Sequence, residues 1–297
     1  MSARVNKRRP TAITAASLRR WPLPQPDEES DKEGRGVALI IGGATELPGS
    51  ILLSGEAALR SGAGKLQLAA PTSIAIPMGV GIPEARVFSL TESAKALDAE
   101  AGRESAGHAG GATAILVGPG MLDENAVRRF LDVFLNRVKD KPLVIDATAL
   151  SGMPSGRYSF RVPAVLTPHA GEMAALTGET KEQVLRKPAE LATETARRLN
   201  AVVALKGSVT HIATPDGEMF TYSGGRVGLA TSGSGDILAG IVVGLLARGA
   251  DPAQAAAWAA YVHGESGNRI MRRVGLLGLL ARDLLREIPS VMNGLAH

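Results

Sequence analysis

The chain has no cysteine among its 297 residues. That excludes disulfides, thiol nucleophiles and cysteine-ligated metals, and leaves the redox compartment open. Aromatic residues make up only 3%. With so few, and with no basic face in view, no aromatic-studded surface for nucleic acid is expected. No apolar run approaches the ~18 residues needed to span a bilayer, and the amino terminus lacks the apolar stretch of a signal peptide. The expectation is a cytoplasmic protein with no membrane or nucleic-acid partner. The net charge of +4 belongs to the first twenty residues. Arg4, Lys7, Arg8, Arg9, Arg19 and Arg20 meet no acid there, and without them 27 basic residues oppose 29 acidic ones. Residues 1–30 are expected to form a flexible basic arm, running through a Pro-rich and then acidic lead-in, with a single domain over 31–297.

Apolar residues are 45% of the chain, enough for a sizeable core. Val37-Ala38-Leu39-Ile40-Ile41 is an apolar run that stops at Gly42-Gly43, which reads as a buried strand. Further strands are predicted at 66–70, 114–117, 142–146, 164–167 and 202–206, and helices at 49–61, 123–138, 171–177, 188–199, 235–248 and 252–271. A hairpin is expected through Pro215-Asp216-Gly217, and residues 92–112 read as a loop with a short helix. Near-continuous apolar strands separated by helices predict a mostly parallel sheet covered on both faces.

Several glycine clusters are false leads. Gly43 to Ser50 and Gly62-Ala63-Gly64-Lys65 fail the phosphate-loop pattern, and Gly118-Pro119-Gly120 lacks the third glycine of a dinucleotide fingerprint. Gly233-Ser234-Gly235-Asp236 is different, because it opens a helix that is apolar almost all round. Glycines let successive N–H groups aim at one point, and a helix N-terminus is a natural anion site. Asp236 either caps that helix or serves as a base beside a bound phosphate. Lys206-Gly207-Ser208-Val209-Thr210 follows a strand, where a lysine can hold phosphate as a mobile charge. Thr167-Pro168-His169-Ala170-Gly171-Glu172 also follows a strand. There His169 contacts a ligand and Glu172 positions water or metal, or both only cap the next helix. Asp146 ends a strand and reads as an acceptor for turn N–H groups.

Taken in order, these pieces resemble the ribokinase-like superfamily, and within it the ADP-dependent NAD(P)H-hydrate dehydratases. The resemblance rests on KEGRGVALIIGG from Lys32, PGSILLSGEAALRSGAG from Pro48, VGPG from Val117, VIDATAL from Val144, LTPHAGE from Leu166, LKGSVT from Leu205, GSGDILAG from Gly233 and VGLLGLLARDL from Val274. Three positions depart from the family's pattern. Ser234 replaces threonine in G-T-G-D, Thr148 replaces the second aspartate of D-A-D-A-L, and Arg226-Val227-Gly228-Leu229-Ala230-Thr231 replaces N-P-G-M-A-T. Only about 36 residues precede the first strand, so a fused epimerase domain, present in some members, is not expected.

The resemblance implies a three-layer α/β/α sandwich and repair of the S epimer of hydrated NADH or NADPH (NADHX, NADPHX), with release of AMP and phosphate. Asp236 would be the base on the substrate hydroxyl, and Gly233 and Gly235 would stabilise charge on the transferred phosphoryl group. Ser50, Gly120 and His169 would line the hydrated nucleotide. Lys206, Gly207, Ser208, Val209, Thr210 and Gly235 would hold ADP. Mg²⁺ would bridge phosphates, with Glu172 a possible ligand, and a homotetramer is implied. Two other readings stay open: a kinase of the same fold acting on a small alcohol, and a nucleotide-binding sensor that has lost catalysis, for which Thr148 and Arg226 to Leu229 are the support.

Overall fold

The computed structural model describes residues 9–25, 34–153 and 158–296. Ten strands form one sheet: β1 (Thr11–Ala12), β2 (Val37–Ile41), β3 (Lys65–Pro71), β4 (Ala85–Leu90), β5 (Ala114–Val117), β6 (Leu143–Ile145), β7 (Ala164–Leu166), β8 (Val202–Leu205), β9 (Thr210–Ala213) and β10 (Met219–Tyr222). Their order across the sheet is β1-β10-β9-β8-β7-β6-β5-β2-β3-β4. Every neighbouring pair is parallel except the two that β9 makes, with β8 and β10.

The helices are α1 (Ala15–Arg19), α2 (Gly49–Arg60), α3 (Thr72–Gly81), α4 (Ala99–His108), α5 (Glu124–Arg137), α6 (Thr148–Ser151), α7 (Ala170–Thr177), α8 (Lys181–Arg186), α9 (Pro188–Leu199), α10 (Ser234–Ala247), α11 (Pro252–Val274) and α12 (Ala281–Ala296). Alternate strand residues go to opposite faces. Ala38 and Ile40 join a core with α2, α10, α11 and α12, while Leu39 and Ile41 join another with α4, α5, α7 and α9. This double burial is why the strands read as unbroken apolar runs rather than alternating ones.

The chain steps from β2 to β3 on one side and returns to place β5 on the other. Open α/β sheets bind ligands at such a switch point, outside the carboxyl ends of the strands. Here those ends are Gly42-Gly43 and Gly118-Pro119-Gly120, and they touch: Gly43 N–H donates to Pro119 O at 2.7 Å.

The amino-terminal residues differ from the expected flexible arm. β1 pairs parallel with β10 at the sheet edge, Leu18 and Leu23 are buried, and Trp21 stacks on Phe220 with ring centroids 5.4 Å apart. Trp258 Nε1 donates to Trp21 O at 2.9 Å, and Arg248 donates to Pro24 O at 2.9 Å. Apolar side chains spaced along a basic segment, rather than its charge, decide that residues 9–25 dock and cover the edge of β10. The rest of the expected arm, residues 1–8 and 26–30, lies outside the described residues, as do Lys32 and Glu33 of the first quoted segment.

Candidate active site

Gly233 is the N-cap of α10 with φ +84°, a left-handed conformation that suits glycine. No side chain caps this helix, so Asp236 does not act as a cap and its carboxylate is left for other work. A Cβ on Gly240 would lie 2.3 Å from Ser54 O, and one on Gly244 would lie 2.6 Å from Ala58 O. The two glycines therefore let α10 pack against the backbone of α2. That close approach brings Ser50, near the start of α2, to Asp236, where a hydrogen bond from the Ser50 side chain favours the ionised carboxylate. Gly120, with φ +68°, packs on the same spot, a Cβ there lying 3.1 Å from Ser50 Cβ and 3.2 Å from Gly43 Cα. Ser50, Gly120 and Asp236 thus meet at the switch point.

Lys206 directly follows β8 and turns inward. Its ammonium lies 3.0 Å from Asp146 Oδ1 and 3.7 Å from Glu172 Oε2. A Cβ on Gly235 would lie 3.4 Å from the same nitrogen. Burial alone would lower the lysine's pKa, but Asp146, Glu172 and Asp236 outweigh it and hold the pKa above the usual value. Asp236 goes the other way for a carboxylate. Burial, then the charge of Asp146, push it up to about 6 against the pull of Ser50 and Lys206, with Glu172 adding to the rise. A half-buried carboxylate poised near neutrality is suited to accept a proton.

Asp146 is more than a turn acceptor. It is buried, and its Oδ1 accepts from Thr167 Oγ1 at 2.7 Å as well as from Lys206. The chain leaves it through Ala147 at φ +52° and ψ −136°, a conformation few side-chain-bearing residues adopt.

His169 and Glu172 form a capping box at the start of α7. His169 Nδ1 accepts from the Gly171 and Glu172 N–H groups at 3.0 and 3.1 Å, and Glu172 Oε2 accepts from His169 N–H at 2.7 Å. A nitrogen accepting two amide hydrogens carries no proton, so the neutral ring bears its proton on Nε2. The His169 side chain is 59% exposed, and its Nε2 lies 3.5 Å from Glu172 Oε1. It neighbours Lys206 across a backbone bridge.

Of the remaining expected contacts, Gly207 and Ser208 form an exposed turn, and Thr210 opens β9. The departures from the family pattern are accommodated. Thr148 Oγ1 donates to Met121 O at 2.6 Å, and Val227–Leu229 forms a short 3₁₀ turn with Leu229 packed on the core. Among the described residues, no three acidic or histidine side chains converge to hold a metal, and no helix is long and apolar enough to cross a membrane. A cavity of about 860 Å³ at the amino ends of β3 and β4, lined by Arg35, Arg60, Lys65 and Arg86, shares no residue with this site.

Sequence reasoning missed one polar contact to the loop. His263 on α11 reaches Ser234, with Nε2 2.8 Å from its Oγ. The available signal was a histidine in an otherwise small and apolar helical stretch.

A family model described as NAD(P)H-hydrate dehydratase matches residues 38–290. The ADP-dependent (S)-NAD(P)H-hydrate dehydratase of Xanthomonas campestris pv. campestris is 43% identical over 95% of this chain and 96% of its own. The structure of the ADP/ATP-dependent NAD(P)H-hydrate dehydratase from Bacillus subtilis, co-crystallised with ATP/Mg²⁺, superposes with TM-score 0.83 at 31% identity, covering 98% of this chain and 99% of that one. A ribokinase-like superfamily protein from Enterococcus faecalis V583 gives TM-score 0.82 at 28% identity, over 96% of both chains. Several other curated relatives are bifunctional NAD(P)H-hydrate repair enzymes, and the chain spans about half the length of these. With the family model covering most of the chain and a relative 43% identical over 95% of it, the chain belongs to the NAD(P)H-hydrate dehydratase family and has a ribokinase-like fold.

Proposed function

We propose that this chain dehydrates the S epimer of hydrated NADH or NADPH with ADP as phosphoryl donor. The observation that carries the reading is Asp236. It is half-buried beside Ser50 at the switch point, raised to about 6, and set in the first turn of an uncapped helix.

Asp236 takes the proton of the substrate hydroxyl as that oxygen attacks the β-phosphorus of ADP. The bond from that phosphorus to the bridging oxygen breaks, and AMP leaves. The C–O bond of the new phosphate ester then breaks, phosphate departs, and loss of a proton from the adjacent ring carbon restores the double bond. The first-turn amides of α10 face the charge that spreads over the phosphoryl oxygens, because such transfer depends on positioning and electrostatics. Lys206, held by Asp146, supplies a fixed positive charge at Gly235, and Gly207 to Thr210 border the nucleotide. Ser50, Gly120 and the exposed ring of His169 line the substrate side.

The hard carboxylate oxygens of Glu172, Asp146 and Asp236 around Lys206 fit a Mg²⁺ ion carried mainly by nucleotide phosphates, with Glu172 as its protein contact. When bound, that ion would neutralise phosphate charge. The resemblance also implies a cytoplasmic homotetramer, which light scattering on the purified chain tests for assembly.

The deciding assay is recovery of absorbance in the reduced-nicotinamide band from chemically hydrated NADH, with Mg²⁺ and ADP, ATP or no nucleotide. Nucleotide-dependent recovery with phosphate release is expected. A stable phosphate ester without recovery would identify a kinase, and ADP binding without turnover a sensor.

A further inference from the structure

His263 lies outside every segment that carries the resemblance, and the chemistry above does not use it. It stands on α11 after Ala259-Ala260-Tyr261-Val262. Its Nε2 is 2.8 Å from Ser234 Oγ and 3.0 Å from Ser234 O. Ser234 is the first residue of α10, and its N–H donates to Thr231 O at 3.2 Å. Ser234 is therefore held at its N–H, its carbonyl and its hydroxyl, while Gly233 and Gly235 on either side have no side chain by which to be held. Glycines on both sides leave the turn's backbone soft, held besides by the Ile237 N–H to Gly233 O bond at 3.3 Å, so an anchor at Ser234 limits its pivoting.

We infer that His263 is a positioning residue for phosphoryl transfer: through Ser234 it fixes the tilt of the Gly233–Asp236 turn, so that the turn's amides and the Asp236 carboxylate converge on one point. This rests on the function proposed above. A misplacement of about 1 Å in a reacting constellation costs on the order of 100-fold in rate, so an anchor shared by the oxyanion donors and the base matters more for kcat than for binding.

The residue type suits the task. Burial pushes the ring's pKa down to about 4, the Ser234 carbonyl opposing and the nearby Lys206 ammonium adding to the fall. The ring is thus neutral at neutral pH, where it holds the turn without competing for phosphate as a second cation.

Three variants separate this role from a packing role. The side-chain amide of His263→Gln extends about as far as Nε2 and donates a hydrogen bond there, whereas that of His263→Asn is one bond shorter. His263→Ala removes the contact. We expect kcat to fall about 30- to 100-fold in His263→Ala and His263→Asn, with ADP affinity by calorimetry within about 3-fold of wild type, and His263→Gln to recover most of the loss. In a Ser234→Ala background the penalty of His263→Ala should shrink, because the two act through one contact.

Wild-type turnover in His263→Ala overturns the inference. So do equal losses in the Asn and Gln variants, or kcat losses that only track losses in Tm. If wild-type protein fails to regenerate reduced nicotinamide at all, the proposed function falls and this inference with it. An active wild type with indifferent variants removes this inference alone.

Discussion

The Lys206 ammonium lies 3.0 Å from Asp146 Oδ1, and the pair stands against the loop that carries Asp236. One cation therefore serves three carboxylates: Asp146, Glu172 and Asp236 all act on it. Asp236 receives too little of that charge to offset its burial, which accounts for its rise to about 6. Because a base must be ionised to accept a proton, kcat/KM should fall as pH drops through about 6. In Asp236→Asn, turnover should be at least ~100-fold lower at neutral pH with nucleotide binding kept. Near-wild-type turnover in that variant would remove Asp236 from its role.

The same network predicts shifts of opposite sign. Asp146 raises the Asp236 pKa and Lys206 lowers it. Asp146→Asn should move the acid limb of kcat/KM to lower pH, and Lys206→Met should move it to higher pH. Lys206→Met also leaves three carboxylates without their shared cation, so it should be the less stable variant. Limbs that move in the same direction would refute this arrangement of charge.

Much of this site was legible in the sequence because each piece is local. Strands β2, β5 and β8 are apolar runs that end at Gly42, Gly118 and the Lys206 turn, and α10 begins at the glycine pair around Ser234. The convergence of Asp146, Glu172 and Asp236 on Lys206 was not legible, since it depends on the order of β6, β7 and β8 in the sheet. β4 and α3 were also missed. β4 is a half-exposed edge strand with no unbroken apolar run, and α3 contains Pro77 and is apolar without helical periodicity. α12 holds Pro289, which on sequence alone argues against a helix there.

The raised Asp236 has a stability consequence. Its folded pKa of about 6 exceeds its ordinary value of 3.8, so between those values the folded state binds the proton more tightly. Stability from this group is present below about pH 4 and lost as pH rises through about 6. Asp236→Asn removes the penalty, and at pH 7 to 8 it should be more stable than wild type by ~1–3 kcal/mol. The gap should close as pH falls below about 4, as measured by thermal unfolding across pH. A constant gap would place its origin elsewhere.

Gly240 tests the approach of α2 to α10. A Cβ there would lie 2.3 Å from Ser54 O and 2.8 Å from Ala57 Cβ, and a backbone oxygen has no rotamer by which to move away. Gly240→Ala must separate the helices and with them Ser50 from Asp236. The expected cost is ~1–3 kcal/mol of stability together with a lower kcat. Gly107→Ala on α4, where the added Cβ meets nothing within 4 Å, serves as the control and should leave kcat unchanged with stability equal to or slightly above wild type.

The docked amino-terminal segment is testable apart from catalysis. Leu18 is 1% exposed, and Trp21 bridges Phe220 and Trp258 through a stacked ring and a backbone carbonyl. As part of the folded unit, Leu18→Ala should cost ~2–4 kcal/mol in denaturant unfolding, the usual range for emptying a leucine site. β1 is separated from β8 by β10 and β9, so KM and kcat measured well below the transition should stay at wild-type values. A free arm would give no change in the unfolding midpoint, whereas a segment that shapes the site would change kcat as well.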